Sequence, residues 1–72
     1  METDEKTLKN KVQYYYTNNR QVHVTLKTRA VRNGFIIDTS ALFFILNDKV
    51  NGQIPIFFTE VYEIEPYMER EG

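Results

Sequence analysis

Val22-His23-Val24-Thr25-Leu26-Lys27-Thr28-Arg29-Ala30-Val31-Arg32-Asn33-Gly34-Phe35-Ile36-Ile37-Asp38 is the stretch that decides the fold. Val22, Val24 and Leu26 alternate with His23, Thr25 and Lys27. A period of two over six residues is that of a strand with one face in a core and the other in water. Thr28-Arg29 then reads as a reversal, and apolar residues resume up to Asp38, so a second strand is expected at about 30–38. Gly34 inside that strand marks a bend or bulge, because glycine permits backbone that other residues resist. An alternative reading takes Asn33-Gly34 as a hairpin tip, but it makes the arms unequal and leaves Thr28-Arg29 and Thr39-Ser40 without a role.

Outward from this hairpin, the chain reads as short strands on one side and a helix on the other. After the Thr39-Ser40 corner, residues 41–47 form a third strand that is apolar on both faces. Asn47-Asp48-Lys49-Val50-Asn51-Gly52 is the clearest turn, since Asn-Gly suits the positive φ of tight hairpins. A fourth strand follows at 53–58. Thr59-Glu60 interrupts, and a fifth strand at 61–65 is closed by Pro66, which lacks the N–H a ladder needs. Before the hairpin, residues 3–17 read as a helix with Thr3 as N-cap, Asp4 and Glu5 in the first turn, and Leu8, Val12, Tyr15 and Tyr16 along one face. Lys6, Lys9 and Lys11 lie on its other face, and Asn18-Asn19 supplies the following turn. The expected fold class is all-β: one helix, then five antiparallel strands bent strongly into a small open barrel of the SH3 type.

The composition excludes several function classes. The chain has 72 residues, no cysteine and a single histidine, His23. No disulfide, thiolate metal site or multi-histidine metal centre can form, and no cofactor is implied. The longest apolar run, Ala41 to Leu46, is six residues, against the roughly 20 a membrane helix needs. The acidic Met1-Glu2-Thr3-Asp4-Glu5 differs from the basic start of a signal peptide, so a soluble, cytoplasmic chain is expected. Neither Asp38 with the Thr39 and Ser40 hydroxyls nor Glu60, Glu63 and Glu65 forms an acid/base pair with an implied pocket, so no enzyme is expected. A core this small rarely supplies more than about 3–5 kcal/mol. Adjacent apolar pairs crowd the last 38 residues, which points to apolar surface shared between copies.

Together these residues resemble the Sm/LSm family, which includes the bacterial RNA chaperone of the same fold. Val22-His23-Val24-Thr25-Leu26-Lys27, the eight-residue interval from Leu26 to Gly34, and Gly34-Phe35-Ile36 are similar to the family's first motif. Ile56, Val61, Ile64 and Pro66 are similar to its closing motif. The resemblance covers residues 8–67 and implies an Sm-like open barrel that closes into rings. Strand four of one copy would pair with strand five of the next, and five, six or seven subunits fit equally. It also implies single-stranded RNA as a partner. Asp38 stands where uridine-binding members carry Asp, but Phe43 falls at the family's Asn, and Phe57-Phe58 replace its Arg-Gly or Lys-His. Phenylalanine keeps a stacking surface and loses the edge donors that read a base. The expected nucleic-acid contacts are therefore Asp38, Thr39, Ser40, Phe57 and Phe58, with Arg29 and Arg32 to phosphate, giving weak base specificity.

Charge supports this unevenly. Residues 6–37 carry +7, residues 38–72 carry -5 and residues 1–5 carry -3. The basic segment can attract phosphate, or it can match the acidic half of a neighbouring copy. The C-terminal Glu69-Arg70-Glu71-Gly72 reads as a disordered tail, and His23 as an outward strand residue. The competing function is a protein-interaction module on the same small barrel, with Tyr14, Tyr15, Tyr16, Phe57 and Phe58 as contact residues and no nucleic acid bound.

Overall fold

The computed structural model describes residues 4–67. It begins with helix α1, Glu5–Thr17. Thr3, expected as the N-cap, lies outside the described residues; the cap is Asp4, whose Oδ1 accepts from the Thr7 amide at 3.0 Å while its Oδ2 accepts from the Thr7 hydroxyl. One carboxylate thus satisfies a free donor at the positive end of the helix. Those hydrogen bonds hold the Asp4 carboxyl below the usual carboxylate range. Leu8 and Val12 are fully buried, and Tyr15 packs against the core. Tyr16 departs from the expected apolar face and is 38% exposed, because α1 stops one residue later and its last turn lies at the margin. The Asn18 amide and side chain both donate to the Tyr14 carbonyl, and Asn19 takes φ 52° to turn the chain.

Five strands follow: β1 Gln21–Leu26, β2 Val31–Thr39, β3 Phe43–Asp48, β4 Gly52–Phe57 and β5 Val61–Pro66. All pair antiparallel in one sheet of order β4-β3-β2-β1-β5, so the expected helix-then-five-strands architecture is the one observed. The reversal at Thr28-Arg29 places Arg29 at φ 77°, closed by the Arg29 amide donating to Leu26 and the Leu26 amide to Ala30. Asn33-Gly34 lies within β2, which rules out the hairpin-tip alternative. Strand β3 starts at Phe43 rather than 41, because the Ser40 amide and hydroxyl both donate to the Phe43 carbonyl and hold 40–43 as a turn. Phe58, expected to end strand four, instead opens a 3-10 turn, Phe58–Glu60, that leads directly into β5.

Gly34 does a different job from the one its position suggests. The register shift in β2 lies between Ile36 and Asp38, where Ile37 is the extra residue. At Gly34 the ladder is continuous on both sides: it faces Val22 of β1 and Asp48 of β3. A Cβ there would lie 2.0 Å from the Asn47 carbonyl oxygen. Glycine is required because two backbones meet closely where β2 passes from one partner to the other.

The inner faces of the strands and α1 enclose one core, centred on Leu8, Val12, Val22, Val24, Phe44, Leu46 and Ile64. Phe44 and Leu46 face Ile56 and Ile54 across the β3–β4 pair. Beside this core lies Asp48, a carboxylate only 7% exposed. Its Oδ1 accepts from the Asn33 amide at 3.2 Å. Its Oδ2 accepts from the Val50 and Asn51 amides at 3.0 and 2.8 Å and from Asn51 Nδ2 at 3.1 Å. Burial pushes the Asp48 carboxyl up, but donors from Asn51, Val50 and Asn33 and the Arg32 charge outweigh it, so it sits below the usual range. The ionised group clamps the β3–β4 turn to β2.

Asp48→Asn leaves several of these amides without an anionic acceptor and is expected to destabilise the fold by about 1–3 kcal/mol in urea unfolding at neutral pH. Since the folded carboxyl ionises below the unfolded one, its stabilisation is complete above about pH 5 and drains away as pH falls through the folded value. Wild type should therefore lose stability between about pH 5 and 2 more steeply than Asp48→Asn, measured by thermal melts across that range.

Candidate nucleic-acid interface

The corner between β2 and β3 gathers one part of the expected site. Asp38 is exposed, and its Oδ1 accepts from the Thr39 amide at 2.8 Å. Thr39 pairs with Phe44, and Phe43 pairs with Phe57, which brings the end of β4 beside the Ser40–Phe43 turn. The Phe58 amide donates to the Leu42 carbonyl at 3.0 Å, fixing this arrangement from the other side. The Phe57 ring is 44% exposed and lies 5.4 Å from Phe43 in a tilted pair. Leu42 is 69% exposed at the same rim. An exposed, braced aromatic ring next to an acceptor-rich turn is a surface on which a planar ring can stack.

Phe58 does not share that surface. It is 5% exposed, packs 5.6 Å from Phe44 and belongs to the core. The alternation already points this way: Ile54 and Ile56 face inward, and Phe58 continues their period of two. The expected stacking role for Phe58 is thus corrected to a packing role. Tyr15 likewise is partly buried against the core, which reduces the five-residue aromatic contact set to Tyr14, Tyr16 and Phe57.

Arg29 and Arg32 are not brought to this corner. Arg32 lies near the start of β2 and Asp38 near its end, a separation of roughly 20 Å along a strand, and Arg29 lies farther still, in the turn before β2. Arg32 also turns back, with Nη1 donating to the Val31 carbonyl at 3.0 Å and its charge felt by Asp48. Arg29 stands at the hairpin tip and, with Thr25, Leu26, Lys27 and Tyr62, lines a separate shallow recess. Two residues at the corner escaped the sequence reading. Glu60 Oε1 accepts from the Phe57 amide at 3.0 Å and adds an anion beside the exposed ring. Lys9 of α1 reaches the same end, its Nζ 5.5 Å from the Phe58 ring centroid and 3.2 Å from Glu5. The signal for Lys9 was its place on the basic helix face; that the helix covers Phe58 was not readable from spacing. Among the described residues, no group of three or more His, Asp or Glu could hold a metal ion. No helix among them is long and apolar enough to cross a membrane.

An N-terminal helix packed on a five-stranded antiparallel sheet of this order is the Sm-like fold. The crystal structure of the pleiotropic translational regulator Hfq matches with a TM-score of 0.71 at 16% identity, covering 81% of this chain and 95% of that one. At that identity the likeness is one of fold. No family model and no curated protein matches the sequence.

The two adjacent phenylalanines should separate on truncation. Phe58→Ala is expected to cost about 3–5 kcal/mol of stability, as a fully buried ring does. Phe57→Ala should cost roughly 1 kcal/mol or less, its ring being half in solvent already. Urea unfolding of both variants measures the contrast.

Proposed function

We propose that the chain assembles into a cyclic homo-oligomer through β4 of one copy and β5 of the next, and that it binds single-stranded RNA in the cytoplasm with weak base discrimination. The observation that carries this reading is the strand order: β4 and β5 are the two edges of one curved sheet. Each edge presents unpaired backbone donors and acceptors, and head-to-tail pairing into a closed circle satisfies both without free ends. Pro55 on β4 has no N–H to give such a pairing, so its nitrogen must point away from an acceptor of the neighbouring copy or the pairing must begin at Ile56. Ring closure would also cover exposed apolar side chains that a lone chain of this size leaves in water.

The RNA reading rests on the corner. Phe57 offers a face for stacking, and Asp38, Thr39 and Ser40 offer acceptors and hydroxyls. No cation stands at position 57 or 58, but Lys9 comes over Phe58 from α1 and places an ammonium at the same end of the barrel. A lysine held this way attracts phosphate without reading a base, which suits an interface with little sequence preference. The fold likeness to a translational regulator agrees with this reading. Exposed Tyr14 and Leu42 favour a second reading, a module that binds protein through the same barrel.

Light scattering should give a mass several times the 8.6 kDa of one chain. Oligo-U and oligo-A should bind with affinities within about tenfold of each other, falling steeply with salt. Lys9→Ala should weaken both alike and lower the salt slope by about one. A solitary, folded chain at high concentration would overturn the assembly. Absence of binding at about 50 mM salt, with assembly intact, would leave the protein-binding reading.

A further inference from the structure

We propose that Asn51 is a site of spontaneous covalent modification, converting to aspartate or isoaspartate through a succinimide, and that the fold restricts this reaction to Asn51. The sequence holds two Asn-Gly pairs, Asn33-Gly34 and Asn51-Gly52. In such pairs the glycine amide nitrogen attacks the asparagine Cγ, forming a C–N bond and closing a five-membered imide. Ammonia leaves with the amide proton, and water opens the ring at either carbonyl. The balance is asparagine plus water to aspartate or isoaspartate plus ammonia, and no other reactant is needed. The reaction requires Cγ to swing over the following nitrogen, so backbone freedom decides which pair reacts.

Asn33 is held against that motion. It lies inside β2, where its amide donates to Asp48 Oδ1 at 3.2 Å and its carbonyl accepts from the Lys49 amide at 3.1 Å. Its Oδ1 is 2.6 Å from His23 Nδ1. Gly34 is fixed between β1 and β3, with the Asn47 carbonyl so close that no side chain fits. Asn51 also donates its amide to Asp48, at 2.8 Å, but it is exposed and lies in a turn rather than between two strands, and the preceding Val50 is 89% exposed. Gly52 is the first residue of β4, opposite Asp48 at the end of the ladder, and nothing lies within 4 Å of the place a Cβ would take, so there is room above its nitrogen for the Asn51 side chain. Asp48 Oδ2 faces the leaving nitrogen at 3.1 Å, where positive charge gathers as ammonia departs.

Conversion would reverse the sign of an interaction that anchors the turn. The Asn51 side chain now donates to the buried Asp48 carboxylate. Aspartate in its place sets two anions at hydrogen-bond distance, and isoaspartate lengthens the backbone through the turn as well. Either product weakens the clamp that joins the β3–β4 turn to Asn33 of β2.

The test is to age the full chain in mildly alkaline buffer at body temperature, with and without urea, and read peptides cut after Arg32 and Lys49 by mass spectrometry. In buffer, the peptide beginning at Val50 should gain the amide-to-acid mass at least tenfold faster than the one beginning at Asn33, and in urea the two should converge. Equal rates in the folded protein would overturn the proposal. So would an unchanged Asn51 over the time in which a free peptide spanning Asn51-Gly52 converts. Separately, Asn51→Asp should lower the melting temperature by about 5 °C or more and Asn51→Ala by clearly less. Equal shifts would overturn the charge consequence.

Discussion

Strand β2 has to serve two partners, and the fold follows from how it manages the exchange. Its first half pairs with β1 and its second with β3, and the two ladders overlap at Gly34 and Phe35. Where they overlap, β2 runs against the backbone of β3 so closely that only hydrogen fits at the Gly34 Cα. Ile37 then enters as an extra residue and increases the local twist. Close approach and bulge are separate devices, three residues apart, and together they let one sheet wrap around a single small core. Asp48 stabilises the same crossing from the side, since it faces Gly34 in register while its carboxylate holds the neighbouring Asn33 amide.

Much of this architecture was legible because its causes are local. Alternation at Val22, Val24 and Leu26 gives β1, helical spacing at Leu8 and Val12 gives α1, and Asn-Gly marks the last tight turn. What escaped has non-local causes. That Gly34 serves close approach rather than curvature depends on where Asn47 lies, and nothing in the flanking residues states it. Asp48 read as one polar residue of a turn; its burial and its hold on Asn33 appear only once β2 and β3 are in register. Asp4, expected in the first turn, is the cap, because its carboxylate accepts from both the amide and the hydroxyl of Thr7.

The candidate interface was legible by half. Asp38, Thr39, Ser40 and Phe57 do converge, because the β2–β3 corner and the end of β4 are neighbours in any meander of this order. Arg29 and Arg32 do not join them, since Arg32 stands at the far end of the same strand and Arg29 in the turn before it. Grouping residues by charge along the chain ignores the distance a nine-residue strand imposes. Phe57 and Phe58 do not make one stacking surface, because a strand sends adjacent side chains to opposite faces, leaving Phe57 exposed and Phe58 buried.

That separation bears on what the corner can recognise. A base stacked on Phe57 would meet acceptors from Asp38 and Glu60 nearby, whereas the ammonium of Lys9 lies over Phe58 and comes from a different element. A cation rooted in the loop before β5 would be fixed relative to the stacked ring, whereas Lys9 comes on a flexible stem and already shares its charge with Glu5 at 3.2 Å. Such a group adds long-range attraction and little angular selectivity. With stacking on one ring and charge from a flexible side chain, the affinity of such a complex would depend on the phosphate backbone and on a π-face, which every base has. Under the proposed RNA reading, weak discrimination would follow from placing the cation on α1, and selectivity would take a rigid donor on the strand that carries Phe57.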